Sequence, residues 1–178
     1  FAVTLHSETG EPRSRSMNKP YTVTWDTGYG FGTHAGLANL CYQRYGQLFA
    51  AYPELAVQYR ELVLSAAAWY LTSAPDTTHQ LKPDAFAAVI ELLIDSYALS
   101  GEKRYLDRAD WFAKQGISLF LNDGLPLPKA TSRHNHYETI TGGPDFMKTL
   151  LDLSLIIEKS DHKSGQAIPF DFPDLQPP

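Results

Sequence analysis

Residues 127–143 read LPKATSRHNHYETITGG, a run dense in groups that move protons or hold charge. From Lys129 to Tyr137 there are two fixed cations, two histidines and a tyrosine, with no carboxylate before Glu138. Positive charge just ahead of a helix start favours an anion, because first-turn N–H groups and the helix dipole add to it. The plainer alternative is a surface loop whose polar groups satisfy one another. His134 and His136 sit two apart, which puts both rings on one side of an extended segment. With His34 or His79 they could form a zinc site. No C-x-x-C, H-E-x-x-H or calcium-loop pattern accompanies them, so no cofactor is expected.

A second candidate is the loop WDTGYGFGTHAG, residues 25–36. Gly30, Gly32 and Ala35 formally match the dinucleotide pattern G-x-G-x-x-A. That mechanism needs a second parallel strand after the helix, and the segment PELAVQYRELVLSAAAWYL that follows is helical instead. Trp25, Tyr29 and the hydroxyl acceptor Asp26 suit the wall of a small-molecule pocket. The plainer reading is a flexible lead-in to a helix. Nucleophile motifs are missing: there is no G-x-S-x-G, and Cys41 falls at an apolar helix position.

These groups must be carried by helices. Apolar residues at three- and four-residue steps predict one from His34 to Tyr52, with Leu37, Leu40, Cys41, Tyr45, Leu48 and Phe49 as its stripe. A second starts at Pro53 and carries Leu55, Tyr59, Leu62, Val63, Ala66 and Trp69. Residues 83–99 are apolar nearly all round, the pattern of a buried helix. After Ser100-Gly101 a fourth helix turns Tyr105, Leu106, Ala109, Phe112, Ala113, Ile117 and Phe120 inward, and its charged face is solvated. A fifth, residues 144–159, holds Phe146, Met147, Leu150, Leu151, Leu153 and Ile157.

The short links at Pro53 and Ser100-Gly101 predict antiparallel hairpins. Stacked in one sense, they leave every long loop at one end. His34, His79, His134 and His136 then gather there with Asp26, Asp76, Glu138 and Asp145. The expected organisation is an irregular lead-in over 1–33, with strand candidates FAVTL and YTVTW, a helical domain over 34–160, and a Pro-rich extended tail over 161–178.

Composition bounds the partners. The apolar share of 43% is that of a folded domain, and a net charge of −5 argues against nucleic acid. No run is long enough to span a membrane. A lone Cys41 rules out an intrachain disulfide. The chain opens at Phe1 rather than Met, so a processed or cut product is expected.

The stretch DAFAAVIELLIDSYALSGEKRYLDRADWFAKQGISLFL resembles the repeat of the α/α-toroid carbohydrate-active enzymes. These include polysaccharide lyases of the pectate-lyase and heparinase types, several glycoside hydrolases and sugar epimerases. The resemblance covers residues 34–160 and implies an all-α fold of antiparallel hairpins in an incomplete toroid. A closed toroid needs about six hairpins, more than this sequence supplies. A missing N-terminal part of the same protein, or another subunit, is therefore expected to complete the core.

The resemblance also implies a poly- or oligosaccharide substrate, most simply a uronic-acid glycan cleaved by β-elimination. In that scheme Arg133 neutralises the substrate carboxylate, His134 or His136 is the base and Tyr137 the acid. Trp25 and Tyr29 would stack on sugar rings, and Asp26, His34, His79, Lys129 and Glu138 would bind substrate. An extracellular or periplasmic location follows if the substrate is a polysaccharide. A hydrolase would instead use two carboxylates, Asp26 and Glu138. An epimerase on the same scaffold stays open, as does a non-catalytic helical-repeat binding module. Against the last, the helix pairs start about 49 and 60 residues apart rather than 34.

Overall fold

In the computed structural model, residues 30–121 and 126–163 are described, with side chains to residue 160. The strand candidates, Trp25, Asp26, Tyr29 and the tail lie outside those residues. The fold is all-α: five α-helices, and no strand among the described residues.

Helix α1 spans Thr33–Leu48. It starts behind Gly32, whose φ of +84° is a left-handed conformation that glycine adopts freely. Helix α2 spans Pro53–Tyr70 and α3 spans Pro83–Ser100, each with proline in its first turn, where the missing N–H costs no helical bond. Gly101, at φ +72°, ends α3. Helix α4 spans Lys103–Phe120 and α5 spans Gly143–Lys163, the latter preceded by a 3-10 turn over Thr139–Thr141. The first helix stops four residues short of Tyr52, and the others begin or end within a few residues of their expected limits.

Helix α3 is the centre, packing against all four others. Its Phe86, Val89, Ile90, Leu92 and Leu93 are fully buried, as an apolar-all-round sequence requires. Phe31, Tyr70, Phe86, Phe112, Phe120 and Phe146 form a chain of tilted and edge-on ring contacts through the core. Gly116 lets α5 approach α4: a Cβ there would stand 2.6 Å from Phe146 Cζ. Arg108 joins α4 to the end of α2, donating to the Tyr70 and Ser73 carbonyls while its guanidinium lies 3.9 Å from the Trp111 ring centroid.

The inward face of α1 differs from the expected stripe. Ala35, Ala38 and Asn39 are buried, whereas Leu40 and Phe49 are 57% and 62% exposed. Small side chains let α1 close on α2 and α3, so the larger apolar groups are displaced to the flanks and the outside. Leu55 and Leu62 on α2, Ile117 on α4 and Leu151 on α5 are likewise exposed rather than inward.

Candidate active site

The two long connections meet at the starts of α3 and α5. The Ser132 N–H donates to the Leu81 carbonyl at 2.9 Å, and the Leu81 N–H donates to Ser132 Oγ at 3.0 Å. Arg133 donates to the Thr78 carbonyl, adding a third tie between loops some fifty residues apart. Below them, the Lys129 N–H donates to the Phe120 carbonyl and anchors the second loop to the end of α4.

This junction borders an open, solvent-facing hollow of about 430 Å3 lined by Gln80, Lys82, Thr131, His134, His136, Glu138 and neighbours. The rings of His134 and His136 stand 6.0 Å apart. Their hydrogen bonds give them opposite tautomers in the neutral state. His136 Nε2 lies 2.5 Å from Glu138 Oε1, so Nε2 carries the proton and Nδ1 keeps a free lone pair. Thr131 Oγ1 accepts from the Arg133 and His134 N–H groups, which leaves its own proton to donate to His134 Nδ1 at 3.0 Å. Gln80 Nε2 lies 3.2 Å from the same nitrogen and, being a donor only, likewise requires a lone pair rather than an N–H there. His134 therefore presents Nε2–H, a donor, where His136 offers a base. Lys82 is the fixed cation among the lining residues and Glu138 the carboxylate.

A second carboxylate lies beside this cavity. Asp84, in the first turn of α3, is crowded by the ends of α1 and α5. A Cβ on Gly32 would stand 2.8 Å from Ala85 Cα, and one on Gly142 2.7 Å from Asp84 Cα. Both glycines have positive φ, +84° and +79°, and each precedes a neighbouring helix. Burial raises the Asp84 carboxyl above its usual range, and Asp145 adds to the rise. The Ala85 N–H and Lys82 pull it back.

Known proteins give no guide to this arrangement. No family model, curated protein or solved structure matches the chain.

The structure brings His134, His136 and Glu138 into one cavity. Arg133 points instead to the first loop, and the Tyr137 hydroxyl accepts from Thr139 Oγ1 at 3.3 Å; neither lines the cavity. His79 pairs with Asp76 at 3.0 Å. Thr78, donating through its hydroxyl and N–H, holds the Asp76 carboxyl below its usual range. His34 is half-buried in the first turn of α1, and Lys129 is half-buried beneath the second loop. No group of three or more His, Cys, Asp or Glu able to hold a metal occurs among the described residues, and no helix among them is long and apolar enough to cross a membrane.

Sequence reasoning passed over Gln80, Lys82 and Asp84. Their signal was position: all three flank Pro83, the start of the central helix, at the end where long loops collect.

Proposed function

We propose that the chain is part of a carbohydrate-active enzyme that cleaves uronic-acid-containing glycans by β-elimination. The observation that carries this reading is the complementary histidine pair beside Lys82. β-Elimination needs a cation at the substrate carboxylate, a base for the ring proton next to it, and a donor for the leaving oxygen. Lys82 takes the first role, His136 Nδ1 the second with Glu138 supporting its ring, and His134 Nε2–H the third. Electrons from the broken C–H bond form the new C=C bond as the glycosidic C–O bond opens, and the proton from His134 neutralises the departing oxygen. Arg133 is then a loop tie and Tyr137 a wall of the second loop.

The same proposal assigns the five helices to antiparallel hairpins forming an arc of an α/α toroid. Further hairpins would come from the remainder of the protein or from another subunit. Uncovered apolar groups on α1, α2 and α5 support that arrangement. Action on polysaccharide places the protein outside the cytoplasm.

Incubation with uronate polymers tests the chemistry through the ultraviolet absorbance of an unsaturated product. The His136→Ala variant is expected to lose about 10²–10⁴-fold in rate, the usual worth of a general base. Reducing ends without absorbance would establish hydrolysis instead. Glycan binding with no product would establish a non-catalytic module.

A further inference from the structure

Helices α1 and α5 both pack on α3 but scarcely touch each other, which leaves a groove along the central helix. Its floor follows from the sequence: Asp84, Ala88, Glu91 and Asp95 recur at steps of four, three and four, and so share one face of α3. Asp84 and Glu91 are exposed, while Ala88 and Asp95 are half-buried. From α5, Asp145 acts on Asp84 and Glu91, and Asp152 acts on Glu91. Five carboxylates therefore face two ammonium groups, Lys82 beside Asp84 and Lys148 beside Glu91 and Asp95. Lys148 is already engaged by Asp152, at 2.7 Å. Around Asp84 and Ala88 the groove widens into a hollow of about 320 Å3 walled by Phe31 and Thr33.

Asn39 of α1 reaches into this stripe. The residue is 8% exposed, and its Nδ2 donates to the Ala88 carbonyl and to Glu91 Oε2, each at 3.1 Å. Reversing the amide would set its oxygen against two acceptors, so the orientation is fixed. Oδ1 is then a buried acceptor to which nothing donates among the described residues. Such an orphan is costly, and a donor entering the groove at Ala88 would relieve it.

We propose that this groove binds a linear polyamine, an extended chain of ammonium groups laid along α3. At 1.5 Å per residue, Ala88, Glu91 and Asp95 stand about 6, about 10.5 and about 16.5 Å beyond Asp84 along the helix axis. In an extended staggered chain, ammonium groups lie about 5 Å apart across three methylenes and about 6 Å apart across four. A tetra-amine with links of three, four and three methylenes thus sets its nitrogens at about 0, 5, 11 and 16 Å. Three of them meet Asp84, Glu91 and Asp95, and the remaining one lies over Ala88 beside the Asn39 oxygen. Every contact is then a charge-assisted or amide hydrogen bond with the ligand N–H donating. A single metal ion suits the groove less well. Carboxylates at these separations cannot share one, and no group of three or more His, Cys, Asp or Glu able to hold a metal occurs among the described residues. The ligand is independent of the reaction proposed at the histidines.

Titration calorimetry on the intact chain compares spermine with putrescine and Mg2+, at physiological ionic strength so that distant surface charges are screened. Spermine is expected to bind at least about tenfold more tightly than either, because its longer chain engages four acceptors at once. Glu91→Gln and Asp84→Asn should each weaken spermine about fivefold, the worth of one partly exposed ion pair. Asp107→Asn removes the same charge from the exposed face of α4 and should leave the affinity unchanged. Binding also favours the charged form of Asp95. Burial and Glu91 push that carboxyl up to about 7 against the pull of Lys148 on α5, and Tyr42 faces it from α1. Affinity should therefore rise between about pH 6 and about pH 7.5, and Asp95→Asn should flatten the rise. Unchanged melting curves show that the variants remain folded. Spermine bound no more tightly than putrescine, or not at all, overturns the proposal. So do equal losses from Glu91→Gln and Asp107→Asn, or a pH response that Asp95→Asn leaves intact.

Discussion

Asp95 shows how much one side chain can set the pH behaviour of this fold. It lies on α3 one turn beyond Glu91. Burial, with Glu91 adding, pushes its carboxyl up to about 7, while Lys148 opposes the rise. Tyr42 of α1, itself raised by burial, feels the same charge. Since the folded value exceeds the unfolded one of about 4, the folded state favours the protonated form. The stability this contributes is fully present below about pH 4 and is lost as pH rises through 7. Asp95→Asn keeps a neutral isostere at every pH, so its unfolding curve should match the wild type near pH 4. Near pH 8 it should gain on the order of 1–3 kcal/mol. A gain that does not grow with pH would show that Asp95 is not the titrating group. At this scale the sequence was partly legible. His134, His136 and Glu138 could be placed on one extended loop from spacing alone. Gln80, fifty-four positions away, could not be assigned to His134, because that bond exists only once the two loops have met.

Elements are fixed by their ends, and two glycines test how. Gly101 and Gly142 both have positive φ, which costs an alanine about 1 kcal/mol on backbone grounds. Around Gly101 a Cβ would meet nothing within 4 Å, whereas at Gly142 it would strike Asp84. Gly101→Ala should therefore cost about 1 kcal/mol. Gly142→Ala should cost about 2–4 kcal/mol and also displace the start of α5 from α3. Chemical denaturation of both variants checks the difference, and equal losses would mean that the α3–α5 junction is loose. Helix limits were well marked in the sequence because Pro53, Pro83 and Gly101 punctuate them. The inward face of α1 was not. A hydrophobic template selects Leu40 and Phe49, while close helix packing selected Ala35 and Ala38. Which face turns inward depends on how near the neighbouring helix comes, and that distance is not written in α1 itself.

At the scale of the whole molecule, several large apolar groups lie exposed on the described helices. Phe49, Tyr52, Leu55, Val57 and Leu62 are exposed along the end of α1 and along α2, and Leu151 and Leu155 are exposed on α5. Helix α3 packs against all four others, but α2 packs mainly on α1 and α3, and α5 mainly on α3 and α4. An array of helices that each touch only near neighbours leaves its outermost members half-covered until more helices are added. Apolar area left in water is worth roughly 25 cal/mol per Å2 to anything that covers it. The chain on its own should therefore self-associate as its concentration rises. Replacing Phe49, Leu55 and Leu62 together with glutamine should suppress this while leaving the helical circular-dichroism signal unchanged, because none of the three is buried in the core. Light scattering across a concentration series reads the outcome directly. A wild-type chain that stays monomeric throughout would show that these groups are ordinary surface residues, and the proposed arc would lose its main support. Loss of association together with loss of helix would instead make the three residues part of the fold.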